Sequence, residues 1–416
     1  MTISETVSLV VPFHVAEPLT LLAAAEGQPR WAWQDERELV IAWGQTAVIE
    51  GHAPESLREQ LADLRLSGIS LHPQVRLFGG FPFSVRERAD AIWGDLAVPR
   101  FVLPRFIFRQ TARSSTLLMV RPGEDVPSVP RHVVSSQELP VVARWRDVPD
   151  YDGWVKTIAA AKEKMAQGEM EKVVLARARE VEFERLPDLV AVFARLQRRY
   201  PHTYRFYFEP QPGRVFMGAT PETLVRTRGH TLETIALAGS ARRGQNPEED
   251  RQLGEALLRS PKNRREQAIV VAHICSSLRP LCSTLCYPER PHLHRLPNIQ
   301  HLATPIEGRL HSAGVFAPAL AMHPTPALGG YPRPAAMQFI AAQEALPRGL
   351  YGAPVGWVNL EGDGLLAVGI RSAVFAERRG RLYAGAGILP ASQPESEWQE
   401  TALKFRPLME ALGLEG

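Results

Sequence analysis

Apolar positions recur at helical spacing in several stretches of this chain. Trp154, Ile158, Ala161 and Met165 fall at intervals of four, three and four, and Gly168 closes the run, which predicts a helix. Leu189, Val192, Phe193 and Leu196 predict another, stopped at Pro201. Helices are also predicted over His52–Gly68, Glu248–Leu258, Pro261–Leu278 with Ser260 as its cap, and Pro332–Ala345. Near the C-terminus, Ser392-Gln393-Pro394-Glu395 predicts a helix start with a Ser N-cap, Pro in the first turn and Glu at N3, as in a capping box. Trp398, Ala402, Phe405 and Met409 then form the expected apolar stripe. Glu397, Glu400 and Lys404 share another face.

Alternating or continuous apolar runs predict strands at Leu39–Trp43, Val75–Phe78, Phe101–Phe108 and Leu117–Val120. Others are expected from Lys172, at Tyr204–Glu209, Val215–Gly218 and Thr231–Ala236, and through residues 292–310. Ala353–Asn359 and Leu365–Phe375 read as a hairpin around Glu361-Gly362-Asp363-Gly364, and residues 382–389 as a strand with a glycine-rich exit. Arg121–Asp150 holds five prolines and reads as a connector. The expected organisation is an N-terminal portion, 1–150, packing on or covering a catalytic portion, 151–416, in one continuous unit. Helices alternate with adjacent strand pairs, which suggests an α+β fold with antiparallel sheets rather than a doubly wound parallel sheet.

The 45% hydrophobic content suffices for a large core, and a formal net charge of +3 demands neither nucleic acid nor an anionic membrane. Cys275, Cys282 and Cys286 form no CxxC pair. Their odd number fits a reducing, cytoplasmic setting. No signal peptide or membrane-spanning apolar run is expected. Lysines number only six, at 156, 162, 164, 172, 262 and 404, which makes each worth inspecting.

Several of the polar residues admit two readings. Lys172 opens the apolar strand EKVVLAR; it either snorkels to water or is desolvated enough to act as a general base. Glu222 follows Gly218-Ala219-Thr220-Pro221 at an expected strand-to-helix turn, where it either complements a helix dipole or serves as a general acid. Glu266 either pairs at the surface with Arg264 or Arg265 or does chemistry. Arg371 has small alternate neighbours, Ala367, Gly369 and Ala373, so that strand face is either exposed or open to an anionic ligand. Glu397, Glu400 and Lys404 form either a solvated helix face or a site for a hard cation and an anion.

Taken together, EKVVLAR, GATPETLV, LAGSARRG, KNRREQAIVV, HLATPIEG, HPTPALGGYPR, GLYGAPVGW, LLAVGIRSA and GAGILPASQPESEWQETALK, in this order, closely resemble the chorismate-utilising enzymes. These are the isochorismate, salicylate, anthranilate and aminodeoxychorismate synthases, and the likeness spans about Asp150 to Gly413. The resemblance implies a four-layer α/β/β/α fold with two packed, largely antiparallel sheets. It implies that Lys172 activates water and that Glu222 protonates the departing hydroxyl. Glu266 and Glu400 match Mg²⁺ ligands, with Glu397 beside them as a direct or water-mediated ligand. Tyr351, Arg371, Gly385, Gly387 and Lys404 match positions that hold substrate carboxylates; Gly239, His301 and Thr304 match pocket-lining positions. Asn263 stands where relatives usually have Asp, Gln267 where they often have His, and Thr220 replaces a common Ser.

Within the family, HPTPALGGYPR is the discriminating segment. Nitrogen-transferring members typically carry a PAGTxxGAPK-like stretch there, so neither ammonia use nor a glutaminase partner is expected. Gly329-Gly330 and Arg333 resemble isochorismate synthases most. Such an enzyme adds water at C2 of chorismate and expels the C4 hydroxyl, with Mg²⁺ and without redox cofactor or nucleotide. Salicylate synthase, which also eliminates pyruvate, is the second reading. A catalytically dead chorismate-binding regulator is the third, but it should lack the base or the acid.

Overall fold

The computed structural model describes residues 9–67, 69, 72–85, 90–120, 139–296 and 299–414. Among these, the strands form one twelve-stranded and one ten-stranded sheet. The larger runs, edge to edge, through Leu9–Pro12, Ser115–Met119, Phe106–Thr111, Glu38–Trp43, Arg30–Gln34, Tyr204–Gln211, Arg214–Thr220, Ser372–Ala376, Arg379–Ile388, Lys172–Phe183 and Gly330–Tyr331. Val142–Val148 also pairs with the Lys172 strand. The smaller runs through Cys282–Cys286, Ile299–Leu310, Thr231–Arg242, Thr223–Arg228, Gly364–Val368, Pro354–Asn359, Arg76–Gly80, Arg100–Leu103 and Ala47–Glu50. His292–Arg295 adds to it beside Ile299–Leu310. Residues 9–119 thus contribute strands to both sheets, bonded edge to edge with strands from the rest of the chain.

Side-chain alternation builds the layers. Trp31 and Trp33 share one core with Phe78, Phe101, Val355 and Leu366 of the other sheet. Ala32 faces the opposite way, into a second core with Leu196, Phe405 and Leu408 from helices on the outer face. The ten-stranded sheet is covered by the helix Pro261–Leu278, whose Val270 and Ile274 join the first core. The result is the α/β/β/α layering that the resemblance implied.

Helix ends follow local chemistry. Asp150 accepts from Gly153 N–H at 2.9 Å to cap Tyr151–Ala166, which buries Trp154, Ile158, Ala161 and Met165. Ser260 caps Pro261–Leu278 by accepting from Asn263 N–H. The C-terminal helix differs from expectation. It runs Pro394–Ala411 with Gln393 as an N-cap that makes no side-chain bond. Ser392 instead accepts from Leu389 N–H at 3.1 Å, closing the preceding turn. The inner face of this helix is Glu397, Thr401, Phe405 and Leu408, while Ala402 is exposed. The apolar stripe is displaced because polar side chains occupy the buried face at the N-terminal half.

Four further expectations are corrected. Phe101–Phe108 is two strands, Arg100–Leu103 and Phe106–Thr111, in different sheets, divided at Pro104. Leu365–Phe375 likewise splits into Gly364–Val368 and Ser372–Ala376, one in each sheet. Glu222 lies between Arg214–Thr220 and Thr223–Arg228, a strand-to-strand passage with no helix after it. Of the supposed connector, Val142–Val148 is a strand; Pro122, Pro127 and Pro130 lie outside the described residues.

A buried ion pair ties the layers near the sheet end. Arg348 is 1% exposed. Its guanidinium donates to Glu344 Oε2 (2.7 Å), to the Leu328 carbonyl (2.8 Å) and to the Val174 carbonyl (2.7 Å). Glu344 also accepts from Ala176 N–H at 2.8 Å. Removing one partner leaves the other charged and buried. Arg348→Ala should therefore cost about 3–5 kcal/mol in urea unfolding. Arg406→Ala, which breaks a half-exposed pair with Glu410, should cost no more than about 1 kcal/mol.

Candidate active site

The two passages between sheets lie side by side. Ala219 N–H donates to the Arg371 carbonyl (3.1 Å), and Val368 N–H donates to the Glu222 carbonyl (2.9 Å). Arg371 holds φ at 51°, a left-handed conformation uncommon for a side chain of its size. Both residues therefore leave the regular alternation of a strand and line one pocket at the sheet end.

Glu222, Gly239, Glu266, His301 and Tyr351 all line this pocket. Arg371, Gly385, Gly387, Glu400 and Lys404 complete the expected residues found there. Lys172, Thr304 and Glu397 are not in its wall. Lys172 is wholly buried and donates to Glu266 Oε1 at 2.9 Å, so it stands directly behind a lining carboxylate. Thr304 accepts from Gln267 Nε2 at 3.0 Å, within the sheet-helix packing. Glu397 accepts from Lys262 at 3.0 Å. The alternative reading of Glu266, a surface pair with Arg264 or Arg265, is not what forms: Glu266 pairs with Lys172, and Arg265 with Glu171.

The backbone leaves space where it must. A Cβ on Gly387 would come within 2.6 Å of Glu266 Oε1 and 3.1 Å of Lys172 Cε. The discriminating segment is bonded to the same strand: Val174 N–H donates to the Gly329 carbonyl at 2.8 Å, and Gly330 pairs with Val173. Gly330 sits at φ 144°, and a Cβ there would lie 2.3 Å from the Lys172 carbonyl. The segment's Ala327 and Leu328 enter the pocket wall.

The electrostatics are uneven. Burial pushes the Glu222 carboxyl up to about 8, against the opposing pull of Lys404, Lys172 and Arg371. It is therefore protonated near neutral pH. Burial lowers Arg371 to about 10, which still leaves it cationic. One of its nitrogens, Nη1, is buried with no hydrogen-bond partner. Nη2 donates to His301 Nε2 at 3.4 Å, and His301 Nδ1 lies 3.0 Å from Ser240 Oγ. A guanidinium only donates, so Nε2 accepts and the imidazole proton belongs on Nδ1. Burial, then Arg371 and Lys404, hold His301 well below its ordinary value, so it is neutral. Burial acts to raise Glu400, but Lys404, hydrogen-bonded at 2.6 Å, brings it below the usual carboxylate range. Lys404 also donates to the Gly385 carbonyl at 2.8 Å.

Ser240 and Tyr383 line the pocket without having been singled out from the sequence. Ser240 adjoins Gly239 in LAGSARRG, and Tyr383 precedes the glycine-rich exit. The Tyr383 ring stacks on Tyr351 at 4.9 Å, and its hydroxyl donates to the Pro347 carbonyl at 2.6 Å. That contact is nonlocal, so spacing carried no signal of it.

Comparisons with known proteins agree with this architecture. The family model described as chorismate binding enzyme matches residues 2–413. The isochorismate synthase MenF of Bacillus subtilis is 34% identical over 92% of this chain and 88% of its own. The salicylate biosynthesis isochorismate synthase of Pseudomonas aeruginosa is 36% identical over 96% of this chain and 88% of its own. The solved structure of the menaquinone-specific isochorismate synthase MenF from Escherichia coli superposes with a TM-score of 0.83 at 29% identity, over 97% of this chain and 94% of that one. The chain belongs to the chorismate-binding enzyme family.

The Glu222 shift has a thermodynamic consequence. Its folded value lies above the unfolded one, so the unfolded state sheds the proton first as pH rises. Its stabilising contribution is whole below the unfolded value and is lost as pH climbs toward about 8. Wild type should lose stability relative to Glu222→Gln by roughly 1.4 kcal/mol per pH unit between about pH 5 and 8, as read by denaturant unfolding across that range.

Proposed function

We propose that this protein is an isochorismate synthase, adding water at C2 of chorismate and expelling the C4 hydroxyl. The observation that carries the reading is a carboxyl held protonated, Glu222, in one pocket with a buried guanidinium whose Nη1 is unpaired. A substrate bearing two carboxylates and a poor leaving group needs both. The relatives named isochorismate synthase, matched over most of both chains, support the same activity.

Glu266 and Glu400 come from two helices and line the same pocket. Among the described residues no group of three or more His, Cys, Asp or Glu could by itself hold a metal. Two carboxylates with substrate oxygens and water suit Mg²⁺, which keeps several waters in octahedral oxygen coordination. These residues therefore fit the cation, and Glu266 and Glu400 would hold it. When bound, Mg²⁺ supplies charge neutralisation and polarisation at the substrate's ring carboxylate.

The chain's own groups do the rest. Arg371 Nη1 and Lys404 Nζ bind substrate carboxylates, with the Gly385 and Gly387 backbone leaving room for their approach. His301 fixes the guanidinium through its Nε2 lone pair. Lys172 Nζ accepts the proton from the water that adds at C2. Glu222 gives its proton to the C4 hydroxyl as it leaves. Each proton transfer is typically worth ~10²–10⁴-fold in rate. The discriminating segment, bonded along the Lys172 strand, shapes the side of the pocket from which the nucleophile is activated.

The deciding experiment is incubation of pure protein with chorismate and Mg²⁺, followed by product identification. Isochorismate alone is expected. Salicylate would favour the lyase-competent reading, and no product would favour a binding regulator. Anthranilate or aminodeoxychorismate formed with ammonium salts would overturn the water-specific assignment. Lys172→Ala and Glu222→Gln should each lower kcat by ~10²–10⁴-fold with little change in chorismate affinity. Lys172→Arg should be equally impaired, because a guanidinium does not give up its proton in this range. Near-wild-type kcat for Lys172→Arg would make Lys172 an anchor rather than a base. Glu266→Ala or Glu400→Ala should abolish turnover while circular dichroism stays unchanged; full activity of either in EDTA would refute the metal requirement.

A further inference from the structure

Every residue lining the pocket comes from Val174 onward, yet one residue of the N-terminal portion stands directly behind its wall. Trp93 is fully buried and touches three segments that carry pocket residues. Its ring lies 5.4 Å, centroid to centroid, from Phe216 on the strand that runs toward Glu222. Its Nε1–H donates to the Pro347 carbonyl at 3.1 Å, four residues before Tyr351. The same N–H donates to Tyr383 Oη at 3.0 Å, on the strand that continues to Gly385 and Gly387. Between Pro347 and Tyr351, Gly349 sits at φ 53°, and a Cβ there would run into the indole ring.

The indole is held in place from behind. Arg214 donates to the Ala91 and Ile92 carbonyls at 2.9 and 3.1 Å. Asp90 accepts from Arg381 at 2.6 Å, and Trp93 N–H donates to the Asp90 carbonyl at 3.1 Å. A buried indole N–H needs an acceptor. Here it has two, and they are bonded to each other, since Tyr383 Oη donates to the Pro347 carbonyl at 2.6 Å. The Tyr383 ring in turn stacks on Tyr351 at 4.9 Å, and both rings line the pocket. Tyr351 Oη lies beside Gly385, where a Cβ would come within 2.9 Å of it. We infer that Trp93 is a positioning residue for the substrate: through Tyr383 Oη and the Pro347 carbonyl it sets where the Tyr383–Tyr351 pair stands against the Gly385 backbone. The N-terminal portion thereby shapes the site rather than covering it. This rests on the reading that chorismate occupies the pocket.

The test is steady-state kinetics of the full chain with chorismate and Mg²⁺. Trp93→Phe keeps a six-membered ring and removes the N–H. Neither tyrosine is given a proton to transfer, so the wall meets bound substrate and transition state alike. Loss of such uniform contacts raises KM and leaves kcat. For Trp93→Phe, KM should rise on the order of fivefold, the size of one ordinary hydrogen bond, with kcat within about twofold of wild type. Tyr383→Phe, which removes the shared acceptor, should raise KM comparably. Because the two act through one bond, the double variant should show a KM near that of the worse single variant rather than the product of the two effects. A residue that only holds the fold together would lower Tm and the active fraction, hence kcat, and leave KM unchanged.

If Trp93→Phe is folded and its KM matches wild type, Trp93 is core packing and the inference fails. If the two single effects multiply in the double variant, Trp93 does not act through Tyr383 and the inference fails in another way. Should Trp93→Phe not fold, Tyr383→Phe decides alone: a raised KM supports the inference, and a wild-type KM overturns it. If wild type does not turn chorismate over at all, the reading of the pocket is wrong and the inference falls with it, whatever the variants do.

Discussion

Two strands pass between sheets side by side, and the pocket depends on that passage. A backbone leaving one sheet gives up its ladder partners, and buried N–H and C=O groups must find others. Here the two passages satisfy each other, Ala219 with the Arg371 carbonyl and Val368 with the Glu222 carbonyl. The acid and the cation are consequently fixed in one local structure, and neither can shift without the other's strand. The left-handed backbone of Arg371 is held by the regular strands on either side. Rigid sheets support an irregular turn that carries the chemistry.

Charge is distributed in the pocket by pairing and by burial. Lys172, Lys404 and Lys262 each meet a glutamate. Glu222 and His301 escape charge altogether, because burial raises the one and lowers the other. Arg371 is left with a buried donor unmet. Leaving a charged donor unsatisfied is costly, and an incoming carboxylate relieves that cost. A carboxylate in the pocket would meet that donor, while Arg348 donates to the Val174 and Leu328 carbonyls behind the same wall.

Much of this was legible in the sequence. Trp154, Ile158, Ala161 and Met165 marked a buried helical face because that helix packs an ordinary apolar stripe. Ser260 marked a helix start because its cap is purely local. The passages between sheets were not legible. Phe101–Phe108 and Leu365–Phe375 are apolar on both sides of the crossing, since both sheets face cores, and a period of two does not report a change of sheet. The C-terminal helix misled for a different reason. Its inner face carries Glu397 and Thr401, and a stripe defined by apolarity cannot include residues buried for their charge or hydroxyl. Lys172 and Glu266, 94 positions apart, meet only through the fold.

The departures from the family pattern also acquire physical roles. Gln267 donates from Nε2 to the Ala236 carbonyl (2.9 Å) and to Thr304 Oγ1 (3.0 Å), tying the helix to two neighbouring strands. Asn263 turns its amide onto Ser260 Oγ at 2.8 Å, reinforcing the cap. Its side chain also fills the space beside Gly239, where a Cβ would come within 2.9 Å. Asn263 is itself neutral, so the acids of the cluster on the helices Pro261–Leu278 and Pro394–Ala411 are Glu266, Glu397 and Glu400, each bonded to a lysine. The unpaired Arg371 Nη1 remains at the pocket for an anion to meet.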